Sequence, residues 1–152
     1  MMMMMIHAWL FLALLPVSLC LVRWDQFANC LQTRFNGHML IDRHVVCATR
    51  KLFINYRRSI YCRNCDKYFH CQGNYEAVFQ CSEDPKAYKA AEAISLCREQ
   101  AQGGGNTADN IIYDGVNKFG RNGGDCVREY LENNEECHYN PATLVCNNTR
   151  FG

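Results

Sequence analysis

Eleven cysteines in 152 residues constrain this chain more than any other feature. The first of them, Cys20, closes an apolar opening: residues 1–22 contain no Asp, Glu, Lys or Arg, and Ile6 to Leu15 is apolar but for His7. That run has the length of the hydrophobic stretch of a secretion signal, and Ser18-Leu19-Cys20 supplies a small-residue cleavage site, so a signal peptide is expected over 1–20. An uncleaved anchor is the alternative, because the apolar stretch reaches Val22, about the shortest length that spans a bilayer. With Cys20 removed, ten cysteines remain: Cys30, Cys47, Cys62, Cys65, Cys71, Cys81, Cys97, Cys126, Cys137 and Cys146. An even number in a secreted, extracellular chain predicts disulfides, each worth on the order of 2–4 kcal/mol through restriction of the unfolded state. Spacing does not say which cysteine pairs with which.

Cys62-x-x-Cys65, with His70 and Cys71 nearby, raises two other readings. A zinc knuckle needs its fourth ligand near position 75, where Tyr75 stands, and a thioredoxin-type site needs a strand before the pair, which the preceding segment does not resemble. No metal and no cofactor is therefore expected. The remaining length is enough for one domain with a core of its own. A net charge of +1, and no basic run interleaved with aromatics, argue against a nucleic-acid partner.

Periodicity is helical nearly throughout. Trp24, Phe27, Ala28, Leu31 and Phe35 fall on one face of a short helix stopped by Asn36-Gly37. A second helix from Asp42 places Val45, Val46, Leu52, Phe53, Tyr56 and Ile60 on one face, with a basic face opposite. A third runs from Asp66 to Phe79 or Gln80 on Phe69, Tyr75 and Val78; Gly73 inside it marks a close contact or a break. Asp84 and Pro85 are the N-cap and first turn of a fourth, whose Ala87, Ala90, Ala91, Ile94, Cys97 and Ala101 form a narrow stripe ended by Gly103-Gly104-Gly105. A fifth opens at Thr107, lines up Ala108, Ile111, Ile112, Val116 and Phe119, and takes Gly120 as its C-terminal glycine. No useful stretch alternates with period two. The expected architecture is an all-α antiparallel helix bundle over 21–125, braced by disulfides, followed by a polar tail over 126–152 that its three cysteines tie down. Asn147-Asn148-Thr149 is a glycosylation sequon on Asn147.

Three blocks carry a resemblance. Asp-Lys-Tyr-Phe-His-Cys-Gln-Gly-Asn-Tyr-Glu-Ala-Val at 66–78, Lys-Ala-Ala-Glu-Ala-Ile-Ser-Leu-Cys-Arg-Glu at 89–99 and Phe-Gly-Arg-Asn-Gly-Gly-Asp at 119–125 resemble the serum amyloid A family, in its order and at nearly its spacing. Cys71, Cys81 and Cys97 replace other residues of the vertebrate members, and Cys81-Ser82-Glu83-Asp84-Pro85 replaces a glycine-rich turn. Residues 24–60 share only amphipathic character with the family's first helix, and the tail lacks its proline pattern. The chain thus resembles a divergent, cysteine-rich member of invertebrate type.

The resemblance implies an acute-phase, innate-immune protein that binds lipid on HDL-like lipoprotein surfaces. Heparan sulfate-like glycans, retinol and bacterial outer-membrane components are the further partners it implies; a homo-oligomer is left open. Trp24, Phe27, Leu31 and Phe35 are the candidate lipid contacts, and bundle packing explains the same stripe equally well. Asp42 to Lys67 carries seven basic residues against two acidic ones, whereas Glu76 to Glu136 carries twelve acidic against six basic. Arg57, Arg58, Arg63 and Lys67, with Arg121, are the candidate glycan or headgroup contacts; a solvated face is the plainer reading. No catalytic residue is expected: His38, His44, His70 and His138 lack a suitable partner, and adjacent His70 and Cys71 point about 100° apart on a helix. A disulfide-braced recognition module that binds a microbial or receptor surface without lipid is the alternative function.

Overall fold

The computed structural model describes residues 23–35, 41–103 and 108–150. The expected signal peptide, Asn36-Gly37, His38, Gly104-Gly105 and Thr107 lie outside them. Five α-helices follow in order: α1 Trp24–Arg34, α2 Arg43–Tyr61, α3 Asp66–Phe79, α4 Pro85–Gly103 and α5 Ala108–Arg121. The fold is all-α and disulfide-braced, as the sequence implies. Among the described residues no helix is long and apolar enough to cross a membrane.

Two N-caps gather one end of the bundle. The Asp42 carboxylate accepts from the His44 amide at 2.9 Å to start α2, and Asp84 accepts from the Lys86 amide at 2.8 Å to start α4. Lys86 Nζ then reaches back to Asp42 at 2.7 Å. That hydrogen bond holds the Asp42 carboxyl below the ordinary carboxylate range. The alanine stripe of α4 is buried as the periodicity requires, with Ala87, Ala90 and Ala91 fully enclosed among Val45, Ala48, Ala77 and Val78. Gly73 marks a close contact: a Cβ there would stand 3.1 Å from that of Asn55 on α2.

A second core cluster sits at the other end, where Tyr68 and Phe69 of α3 meet Val116 and Tyr139. The expected tail supplies Tyr139 here. Its ring lies 4.8 Å from that of Phe69 and 5.5 Å from that of Tyr68. Within the expected tail, residues 128–132 form a π-helical turn and Tyr139–Asn140 pairs with Val145–Cys146 as a two-stranded antiparallel hairpin. Asn140 closes the hairpin by accepting from the Ala142 amide at 2.9 Å.

Two expectations about helix faces and one about a helix end are corrected. On α2, Val46 and Phe53 are both 52% exposed, so they do not share the buried face of Val45 and Ala48. On α5, Ile111 and Ile112 are exposed, and the face that packs carries Val116, Asn117, Gly120 and Arg121. Gly120 lies inside α5, where it admits the backbone of Cys71; the terminating glycine is Gly123, at φ +84°. Its amide bonds Gly120 O and that of Gly124 bonds Phe119 O, each at 3.0 Å, the 5→2 and 6→1 pair of a Schellman motif.

All ten cysteines pair: Cys30–Cys97, Cys47–Cys81, Cys62–Cys146, Cys65–Cys137 and Cys71–Cys126. Cys62 and Cys65 take different partners, so their spacing is neither a redox pair nor half of a metal site. The last three bridges hold the tail on α3 and the turn before it. Intact mass after non-reducing alkylation is expected to show no adduct on these ten cysteines; two or more adducts would contradict the pairing.

Candidate functional site

The α1 stripe does not simply face solvent. Phe27 and Leu31 are half-buried and pack on the core cluster that holds Val45, Ala48 and the α4 alanines, and Trp24 stacks edge-on against Phe27 with ring centroids 5.7 Å apart. Phe35, expected as a lipid contact, is 6% exposed and belongs to the core, because the chain leaves helical geometry there and its side chain turns inward. Trp24 remains 45% exposed. Between α1, α2 and α4 lies an apolar groove of about 470 Å³, lined by Phe27, Leu31, Val45, Val46, Phe53 and Ile94 among others. A cavity of about 270 Å³ adjoins it and shares Phe27, Thr49, Phe53 and Ile94.

The cavity has a polar floor. Asn74 sits at the junction of α3, α4 and α5: its Oδ1 accepts from Ser95 Oγ and Arg121 at 3.0 Å each, and its Nδ2 donates to His70 O at 2.8 Å and Asn117 Oδ1 at 2.9 Å. His70 Nδ1 lies 3.3 Å from Asn117 Oδ1 and 3.4 Å from Glu99 Oε1. Burial and the nearby Arg98 guanidinium hold His70 well below the usual imidazole range, and burial raises the Glu99 carboxyl. A depressed folded pKa means that His70 contributes stability above its unfolded value of 6.5, and that this is lost as pH falls below it. Glu99, with a raised value, acts in the opposite sense. The difference in stability between the native chain and His70→Gln, followed from neutral pH downward by urea denaturation, is therefore expected to shrink on acidification. A constant difference would contradict it.

The proposed basic site is divided. Arg57 and Arg58 line a shallow depression of about 240 Å³ with Ile54 and Tyr61. Exposed Arg63 joins the tail through its amide, which donates to Asn148 O at 3.1 Å. Lys67 lies in another depression among Asp66, Glu129 and Glu136. Arg121 is corrected: at 4% exposure and hydrogen-bonded to Asn74, it is unavailable to a surface ligand. The reading of α2 missed a different alignment. Arg43, Val46, Arg50, Phe53 and Arg57 are all exposed, and their 3-4-3-4 spacing sets cations and apolar groups alternately along one face beside the groove. Arg98 was also missed. It lines the cavity, with its guanidinium 4.2 Å from the centroid of the Tyr56 ring.

Cys71 is oxidised and half of a disulfide, so it forms no nucleophile pair with His70. Among the described residues no three His, Cys, Asp or Glu side chains gather as a metal site. Asn147 is exposed.

The model of the family described as serum amyloid A protein matches residues 46–144, which runs from the first turn of α2 through α5 to the first strand and leaves α1 outside. A serum amyloid A-5 protein of Mesocricetus auratus is 37% identical over 84 residues, 54% of this chain and 70% of that protein. A serum amyloid A protein of Notamacropus eugenii is 39% identical over 66 residues, 41% of this chain and 50% of that protein. One of Anas platyrhynchos is 46% identical over 63 residues, 40% of this chain and 47% of that protein. The matched stretch thus spans about half the length of most of these relatives. With the family pattern extending across four of the five described helices, the chain belongs to the serum amyloid A family.

Proposed function

We propose that this is a secreted, non-enzymatic acute-phase protein that binds lipid surfaces in the manner of an apolipoprotein. The groove between α1, α2 and α4 is its lipid contact. One observation carries the reading: exposed Val46 and Phe53 line that groove, exposed Trp24 lines the cavity that adjoins it, and Arg43, Arg50 and Arg57 alternate with Val46 and Phe53 along α2. Apolar groups that enter the acyl boundary, beside cations that meet phosphates, are what an interfacial helix requires. The same arginines suit sulfated glycans, and retinol or bacterial outer-membrane amphiphiles are further candidates for the apolar surface. Secretion is supported by the apolar opening segment, the paired cysteines and the exposed sequon at Asn147.

Flotation with phospholipid vesicles, with and without anionic lipid, tests this. The chain is expected to float, more completely when anionic lipid is present. Phe53→Glu should cut binding severalfold with little change in melting, since its side chain is already half in water. Phe27→Glu should lower both, because Phe27 packs on the core. Arg57→Glu with Arg58→Glu should lower the salt needed to elute from heparin, as exposed charges are screened beyond about 8 Å at physiological ionic strength. Absence of flotation together with retention on heparin would favour the recognition module that carries no lipid.

A further inference from the structure

We infer that the cavity adjoining the groove is a binding site for the carboxylate of a single-chain amphiphile, anchored by Arg98 with its alkyl tail laid along the groove. The inference rests on the lipid-contact reading and narrows it to a ligand class.

The donors and acceptors at the polar floor decide which head group fits. Both polar atoms of the Asn74 amide are fully engaged, and the Ser95 hydroxyl spends its proton on Asn74. His70 directs its Nδ1 at Asn117 and Glu99. Arg98 is the cation that lines the cavity, and its buried Nε has no hydrogen-bond partner among the described residues. The guanidinium already has the Tyr56 ring and the Glu99 carboxylate as neighbours; because it only donates, the group that completes its hydrogen bonding is an acceptor, and an anionic one best of all. A carboxylate meets that need with charge-assisted hydrogen bonds; an alcohol of the same length brings an acceptor without the charge.

Size and shape fix the rest. At about 270 Å³ the cavity is near the roughly 300 Å³ lower end of small-molecule sites, which suits one head group and the start of one chain. The groove that shares Phe27, Thr49, Phe53 and Ile94 with it carries the tail onward over apolar surface.

The test is calorimetric titration of the oxidised full chain with decanoate and with decanol, each below its self-association concentration. Emission of Trp24, which lines the cavity, serves as a second readout. Decanoate is expected to bind about tenfold or more tightly than decanol. Arg98→Gln should bring the two to near parity, Arg98→Lys should keep most of the preference, and Thr49→Phe, which fills the shared wall, should weaken both. Should Arg98→Gln fail to fold, the preference in the native chain and the block by Thr49→Phe decide the matter. Equal affinity for the two ligands, or a preference that survives Arg98→Gln, overturns the inference. Vesicle flotation separates the two proposals: flotation without decanoate preference removes the cavity site alone, and decanoate preference without flotation removes the surface reading alone.

Discussion

Gly120→Ala is expected to destabilise this protein by about 3 kcal/mol or more and to lower its melting midpoint by about ten degrees. The added methyl group would run into the carbonyl of Cys71, a backbone group that no rotamer change can move aside. Nor can the two helices part to make room. Cys71 is joined to Cys126, just beyond the turn that ends α5, so α3 is tied covalently to the chain leaving the helix that Gly120 occupies. Gly115 lies on the same helix with open space around its Cα, and Gly115→Ala is expected to stabilise by about 1 kcal/mol, the ordinary helix-propensity gain. Thermal and urea denaturation of the two variants under non-reducing conditions should give shifts of opposite sign. Similar shifts would mean that α3 and α5 are not as close as this contact requires.

That contrast shows what a sequence can and cannot disclose. The helices were legible because burial imposes a period: the α4 alanines and the Asp84-Pro85 start needed only local rules. The same rules put Gly120 at a helix end, because a glycine needed for a left-handed turn and one needed for close helix contact look alike in sequence. Gly123 fills the first role and Gly120 the second. The hairpin escaped notice since its strands are two residues long, too short to show alternation, and the tail is held by bridges whose partners lie 55 to 84 residues away. Local pattern also misplaced the functional surface. Leu31 and Phe35 fit an amphipathic stripe whether they face lipid or protein, and only the tertiary packing shows that Phe35 faces protein. Arg121 looked like a surface cation until its partner, Asn74, was placed 47 positions earlier in the chain. Conversely, the alternation of Arg50 and Phe53 along α2 was available from spacing alone, but it pointed to a site only once the groove beside it was known.

Asn74→Ala is expected to destabilise by about 3–5 kcal/mol, more than the roughly 1 kcal/mol of an average hydrogen bond. The excess comes from what is left behind. Asn74 is 1% exposed, and its side chain joins α3 to Ser95 of α4 and to Asn117 and Arg121 of α5. Truncation leaves Ser95 Oγ and an Arg121 guanidinium nitrogen facing a void, and Arg121 Nε is already without a partner. The surviving problem is a buried charge, which relaxes only by moving the helices apart or admitting water. Asn74→Asp offers no rescue: it would satisfy Arg121 while placing an oxygen against His70 O and Asn117 Oδ1, where Nδ2 now donates. A second substitution identifies the cause. If the penalty comes from stranding the guanidinium, Arg121→Leu should cost much less in the Asn74→Ala background than in the native chain, a coupling of about 1–3 kcal/mol. Urea denaturation of the two single variants and the double variant measures it. Additive losses would mean that Asn74 acts through packing alone and that the polar junction beneath the cavity is not a single unit.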